Sequence, residues 1–190
     1  DWGSSSLRNK LTVSEDGYTI TGERDATHFS GWAKNQKIFF YATFDKKIKG
    51  VYLLAGGVPV EGLSAEHKAK SNADVTAYVE FEEGGSAQLN AKVALSAVDT
   101  TGAQKNYQAE GDVSFDEARA NARDKWANAL NFTIEGGSKK QSEIFYTALY
   151  HTKIAPIVHQ DVDGNYRGMG KGAQAEGEGI YSIHYGQTSE

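Results

Sequence analysis

The chain has 190 residues, with 20 Lys+Arg against 25 Asp+Glu, a net charge of −5, no cysteine, one methionine and two prolines. That length suits one large domain, or one domain with part of another, able to withdraw roughly 70% of the unfolded chain's surface from water. The acidic balance argues against a nucleic-acid partner, the lack of cysteine excludes disulfides and thiolate metal sites, and the longest apolar run, residues 50–60, falls far short of the about 20 that span a bilayer.

Residues 1–113 carry period-two patterns broken by turn residues, the mark of half-buried strands. Short strands are expected at 11–13 and, after the Asp16-Gly17 turn, at 18–22. In 37–44 (KIFFYATF), Ile38, Phe40, Ala42 and Phe44 point one way and Phe39, Tyr41 and Thr43 the other. Another strand is expected at 50–54. Val75, Ala77, Val79 and Phe81 form an inward row, with Thr76, Tyr78 and Glu80 outward. Leu89, Ala91, Val93 and Leu95 repeat the pattern, with Asn90, Lys92 and Ser96 on the wet face. The turn signal Glu82-Glu83-Gly84-Gly85-Ser86 predicts that these two runs pair as a hairpin, with the glutamates at a solvated tip. Strands with one polar face each call for a second apolar layer. The expected fold is therefore mainly β: an antiparallel β-sandwich followed by two or three helices.

After residue 113 the period lengthens. Ser114-Phe115-Asp116-Glu117 has the form of a capping box, in which hydroxyl and carboxylate satisfy two orphan backbone donors. Behind it Phe115, Ala118, Ala122, Trp126 and Leu130 recur at helical steps. A short extended link ends in Gly136-Gly137, and a second box, Ser138 to Gln141, opens a helix through Ile144, Phe145, Ala148, Leu149 and Thr152 toward Pro156. That helix is apolar almost all round, so it is expected to lie between other elements, more of them than this sequence supplies. From residue 160 the chain is glycine-rich. Asp1 heads the sequence, Met169 is its only methionine, and 181–190 carry no signature that closes a domain, so both ends are expected to be cut. The domains are read as a β-sandwich over 1–113, incomplete at its N-terminus, a linker helix and strand over 114–137, and the truncated start of a helical domain over 138–190. Phe40, Val79, Val93, Phe115, Trp126, Phe145 and Leu149 are expected to be inaccessible, the last two exposed if their covering is absent; an apolar patch would then invite self-association.

Few residue patterns point to chemistry. His28, His67, His151, His159 and His184 show no helical ligand spacing. Gly170-Lys171 lacks the glycine five residues earlier that a phosphate loop needs, Asn165 standing there, and Gly172 replaces the magnesium-binding hydroxyl. Asp161 and Asp163 are candidate calcium ligands, since closely spaced carboxylates can converge on a hard cation; Tyr166 and Gly172 occupy positions where an EF-hand has glycine and glutamate. The plainer reading is an Asx-type turn with Gly164 at positive φ. Trp32, in Ser30-Gly31-Trp32-Ala33, is a candidate for stacking on a sugar ring, with packing as its alternative role. The residues alone single out no pair of carboxylates for glycoside chemistry, Glu176 and Glu178 lying in a glycine-rich stretch, and no catalytic residue is assigned.

The stretch from Trp126 to Gly168 carries more. Ile134-Glu135-Gly136-Gly137, then FYTALYH over 145–151, Pro156 and the DVDGNYRG of 161–168, resembles glycoside hydrolase family 92, the α-mannosidases. Upstream, Gly31-Trp32-Ala33 with Gln36 and the aromatic strand 39–44 is similar to the same family, as is 90–96. The resemblance implies an N-terminal sandwich joined by helices to an (α/α)6 barrel. It implies a calcium-dependent, exo-acting, inverting, α-1,2-mannosidase-like parent, exported to the periplasm, cell surface or medium. On that comparison the helix 144–151 is barrel wall, and the partners are mannose-containing glycans and the remainder of the catalytic domain. No Trp-Asp motif follows Ile183, and no catalytic residue or bound calcium is carried over to this chain, which alone is expected to be inactive. The alternative from another class is a non-catalytic carbohydrate-binding or interaction module using a sandwich face or Trp32; the third is a scaffold domain.

Overall fold

The computed structural model describes residues 5–27, 36–84, 87–111, 113–155, 158–167 and the backbone of 180–182. Two compact units emerge, Asp1–Asp112 with Gln160–Glu190, and Val113–His159. Both helices that follow residue 113 fall in the second unit.

The first unit is an antiparallel sandwich. One sheet has five strands in the order β6 (Ser64–Lys68), β1 (Ser5–Val13), β2 (Thr19–Thr27), β3 (Gln36–Phe44), β8 (Ala91–Ser96). The other has three: β5 (Val58–Val60), β4 (Ile48–Ala55), β7 (Val75–Phe81). β1 and β2 form a hairpin across the expected Asp16-Gly17 turn, with strands longer than the sequence suggested. Asp16 accepts the Ser14 hydroxyl (2.5 Å) and the Tyr18 amide (2.9 Å), which fixes the turn and holds its carboxyl below the usual range. Gly56 and Gly57, at φ 56° and 76°, supply the left-handed pair that the tight β4–β5 turn requires.

Register decides which rows form the core. Val13 lies opposite Ile20, Ile20 opposite Ala42, and Leu11 opposite both Gly22 and Ala65, all facing the three-stranded sheet. Leu53 of β4, fully buried, answers them, and Phe44 meets Phe81 across the layers at 5.0 Å between ring centroids. Gly22 permits a close approach, because a Cβ there would lie 2.4 Å from the Phe40 ring.

Two expectations fail. The runs 75–81 and 89–95 do not pair as a hairpin: β7 pairs with β4 and β8 with β3, so the Glu82 turn carries the chain from one sheet to the other. The exposed glutamates at 82 and 83 stay in solvent, as read. The facing of β8 is also inverted. Ala91, Val93 and Leu95 are exposed, while Lys92, Ala94 and Ser96 lie on the covered side. The reason is a helix that the sequence reading missed, α1 (Thr100–Glu110), which packs over β3 and β8 on the face read as wet. Tyr41 meets Tyr107 at 5.1 Å, Thr43 Oγ1 donates to the Tyr107 hydroxyl (2.9 Å), and Lys92 Nζ donates to Gly111 O (2.8 Å). Phe39 is accordingly buried and Phe40 only half-buried. Val79 is half-buried too, within the expected alternation of β7.

The second unit holds α2 (Phe115–Ala129) and α3 (Lys139–Thr152), each opened by the expected capping box, Ser114 with Glu117 and Ser138 with Gln141. Trp126 stacks on Tyr150 at 4.7 Å, and the Tyr146 hydroxyl donates to Phe132 O (2.5 Å). No residue of either helix is buried. Phe115 is 69% exposed and Trp126 38%, against expectation, because two helices can screen only the sides they turn to each other. Phe145 is also exposed and Leu149 half-buried. Pro156 lies outside the described residues. Past residue 160, β9 (Asn165–Arg167) pairs antiparallel with β10 (Ile180–Ser182), three-residue strands that the sequence does not announce.

Candidate functional site

The chemistry-bearing residues converge where β8 hands over to α1. Asp99 caps α1, its Oδ1 accepting Gly102 N at 2.6 Å. One turn on, Gly102 and Ala103 are buried against the sheet, and Asn106 follows on the same face. Into this corner the 160–167 segment inserts Asp161, only 4% exposed. Asp161 Oδ2 accepts the Ser96 hydroxyl at 2.7 Å and Oδ1 accepts Asn106 Nδ2 at 2.8 Å. Ser96 Oγ in turn accepts Val98 N at 2.9 Å, and Asn106 Nδ2 also donates to Leu95 O at 2.8 Å. Asn106 Oδ1 takes Val162 N at 2.8 Å, so the whole amide is engaged.

Glycine at 102 is a spatial requirement, since a Cβ would lie 2.1 Å from Asp161 Oδ2 and 2.7 Å from Ser96 Oγ. The inserted segment is a tight turn: Asp161 N donates to Asn165 O, Gly164 N to Asp161 O, and Asn165 N to Asp163 Oδ1 (3.2 Å), with Gly164 at φ 84°. This is the Asx geometry that the sequence suggested. Asp163 takes the Lys105 ammonium at 2.7 Å, which holds its carboxyl below the ordinary range and raises the lysine. Arg167 closes the knot, donating from Nε to Ala97 O (2.7 Å) and from Nη2 to Val98 O (3.2 Å); burial pushes its guanidinium down from the usual value.

The two candidate calcium ligands thus have separate partners, Asp161 a hydroxyl and an amide, Asp163 an ammonium. Calcium needs about six to eight converging oxygens, and among the described residues no group of three or more His, Cys, Asp or Glu is placed to hold a metal. Asp161 and Asp163 do not fit that ion. Their arrangement fastens the 160–167 turn to a stretch far from it in sequence, the end of β8 and the first turns of α1. Sequence reasoning found Asp161 and Asp163 but missed Ser96, Asn106 and Arg167; Asn106 lies on a helix whose first turn carries Thr100, Thr101 and Gly102, poor helix formers, and Arg167 bonds the carbonyls of Ala97 and Val98 just before it. Trp32, His28, His184, Gly168–Gly172, Glu176 and Glu178 lie outside the described residues.

A second polar feature is a recess of about 320 Å³ lined by Ser6, Asn9, Arg24, Asn72, Ala73 and Asp74. Asn9 Nδ2 donates to Ala73 O at 2.5 Å, while its buried Oδ1 has no partner, and Asn72 adopts φ 59°.

A sandwich, a corner pinned through Asp161 and a capped helical hairpin are thus all present in the chain. The family comparisons divide the chain at that corner. Residues 2–96 match the glycosyl hydrolase family 92 N-terminal domain, and 102–187 match the glycosyl hydrolase family 92 catalytic domain, whose match begins within α1. The chain belongs to glycoside hydrolase family 92. Among solved structures it is similar to the family GH92 alpha-mannosidase BT3965 from Bacteroides thetaiotaomicron, with a TM-score of 0.77 and 26% identity over 95% of this chain and 24% of that one. The same enzyme in complex with mannoimidazole matches equally, covering 23% of that chain. The GH92 inverting mannosidase BT2199 from the same organism shares the fold at TM-score 0.74 and 18% identity, over 93% of this chain and 23% of that one. This chain therefore spans about a quarter of the length of these relatives. No curated protein matches it.

Proposed function

We propose that the chain supplies the sandwich and first helices of an exported, exo-acting α-mannosidase that removes terminal α-mannose, with α-1,2 linkages as the first candidate and inversion at the anomeric carbon. The supporting observation is the likeness to an α-mannosidase over 95% of this chain at 26% identity. The bare apolar flanks of α2 and α3, with Ile144 59% and Phe145 39% exposed, are consistent with helices meant to stand in a larger helical wall. In this reading Ile144–His151 is barrel wall, and the sandwich, linker and helical segments follow 1–113, 114–137 and 138–190.

Inversion needs an acid and a base on opposite sides of the sugar, about 6.5–9.5 Å apart. Of the described carboxylates, Asp161 is committed to Ser96 and Asn106, and Asp163 to Lys105. We place the acid, the base and the calcium ligands in the remainder of the catalytic domain, with this chain positioning the wall that carries them. Purified residues 1–190 should release no mannose from α-1,2-mannobiose. A polypeptide extended downstream to the length of the solved relatives should release it, with β-mannose as the first-formed anomer by NMR. Turnover by the 190-residue chain alone, or no turnover of any α-mannoside by the extended one, refutes the proposal.

A further inference from the structure

The two sides of the three-stranded sheet differ in chemistry. Inward, the register sets Val51 opposite Val79 and Leu53 opposite Ala77. Outward, it sets Gly50 opposite Glu80, Tyr52 opposite Tyr78 and Leu54 opposite Thr76. Tyr52 and Tyr78 are 51% and 61% exposed, with ring centroids 6.2 Å apart and planes inclined by 41°, so two half-exposed rings stand side by side on this face. Beside them Lys49 Nζ meets Glu80 Oε1 at 2.6 Å, both side chains more than half exposed. Gly50 leaves the floor next to the rings open, since a Cβ there would meet nothing nearer than Glu80 Oε2 at 3.6 Å.

Cross-strand tyrosines stabilise a sheet by touching each other, but that does not account for two phenol rings left half in water beside an ion pair and an open floor. We propose that this outer face is a glycan-binding platform. A pyranose presents a face of C–H groups and a rim of hydroxyls. The C–H face stacks on the tyrosine rings, which expose flat, rigid, amphipathic surface. The hydroxyls reach Glu80, Lys49, Thr76 and the phenol oxygens and take over the water hydrogen bonds of the charged pair. A protein partner fits this face poorly. It would have to desolvate that ion pair without replacing its hydrogen bonds. The platform rests on the geometry alone; mannan as the preferred glycan rests on the proposed α-mannosidase function.

The test is native affinity electrophoresis of the 190-residue chain in gels containing yeast α-mannan, a mixed-linkage β-glucan or no polysaccharide, with Tyr52→Val/Tyr78→Val and Tyr52→Phe/Tyr78→Phe alongside. Valine keeps strand propensity and removes the rings, and unchanged melting temperatures verify the fold. Mannan should retard the chain, the valine pair should abolish retardation, and each single valine should weaken binding about tenfold, while the phenylalanine pair stays within about threefold. Tyrosine-dependent retardation by β-glucan but not mannan keeps the platform and overturns its mannan assignment. Retardation by mannan that the valine pair leaves intact, or no retardation in either gel, overturns the platform.

Discussion

The sandwich and the helical hairpin obey the same local rules and reach opposite ends. In the sandwich the C-terminal half of β3 is covered on both sides by the chain's own material, Phe44 meeting Phe81 of the three-stranded sheet on one side and Tyr41 meeting Tyr107 of α1 on the other, and Leu53 and Ala103 are wholly inaccessible. In the hairpin both helices carry complete capping boxes and an apolar stripe, yet no residue is buried. Caps and periodicity fix where a helix starts and which residues line up on it. Burial depends on what else is present. The contrast therefore separates elements held by their own core from elements held mainly by local hydrogen bonds and one aromatic stack, Trp126 on Tyr150.

Paired truncations give the largest test of that contrast. Leu53→Ala should cost about 2–5 kcal/mol in chemical denaturation, the range for emptying a tightly packed core site. Ile144→Ala, at a position 59% exposed, should change stability by no more than about 0.5 kcal/mol. A large loss at Ile144 would mean that the hairpin is packed after all.

Next comes the pinned corner. Alanine normally favours a helix over glycine by about 1 kcal/mol, so Gly102→Ala would stabilise α1 if the helix were free. Because the new Cβ would lie 2.1 Å from Asp161 Oδ2, the expected sign is reversed, with a net loss of about 1–3 kcal/mol and displacement of the 160–167 turn, read by hydrogen exchange at Val162. At the hairpin, Ser138→Ala removes the acceptor of Gln141 N and should cost about 1 kcal/mol, seen as faster exchange in the first turn of α3 while β1–β3 are unaffected.

Those sizes also mark what the sequence could disclose. The rows of β3 and β7, the turn at Asp16-Gly17 and both capping boxes are written in consecutive residues, and the structure reproduces them. The 161–164 turn was legible for the same reason, because Asp161, Asp163 and Gly164 sit within four positions. The partners of Asp161 were not. Ser96 and Asn106 are 65 and 55 residues away, and no local pattern announces such a hydrogen bond. The facing of β8 was misread for a related reason. An edge strand with apolar residues on one side and small or long-stemmed ones on the other can be covered from either, and only α1, weakly coded through Thr100, Thr101 and Gly102, decides it. Tyr78 was correctly placed outward; its pairing with Tyr52 required the register.

The smallest effect probes the sandwich where it meets water. On the side of the five-stranded sheet away from the core, Glu66 of β6 accepts Arg8 Nε of β1 at 2.9 Å and lies 2.9 Å from Lys68 Nζ, and Arg8 also pairs with Glu23 of β2. The hydrogen bonds from Arg8 and Lys68 lower the Glu66 carboxyl from 4.5 to about 2. A carboxyl whose folded value lies below its unfolded one contributes stability that is fully present above pH 4.5 and lost as pH falls through the folded value near 2. The Glu66 side chain is 35% exposed, so solvent screens the pair and the contribution belongs with exposed ion pairs, roughly 0.2–1 kcal/mol. Glu66→Gln should therefore lower stability at pH 7 by about that amount and flatten the stability curve between pH 4.5 and 2. Raising the salt concentration should shrink the difference between the two proteins, because the pair is wet. If the glutamine variant matches the parent at pH 7 and falls away as steeply in acid, the ladder across β6, β1 and β2 contributes nothing, and the sandwich owes its stability to the two apolar layers beneath it.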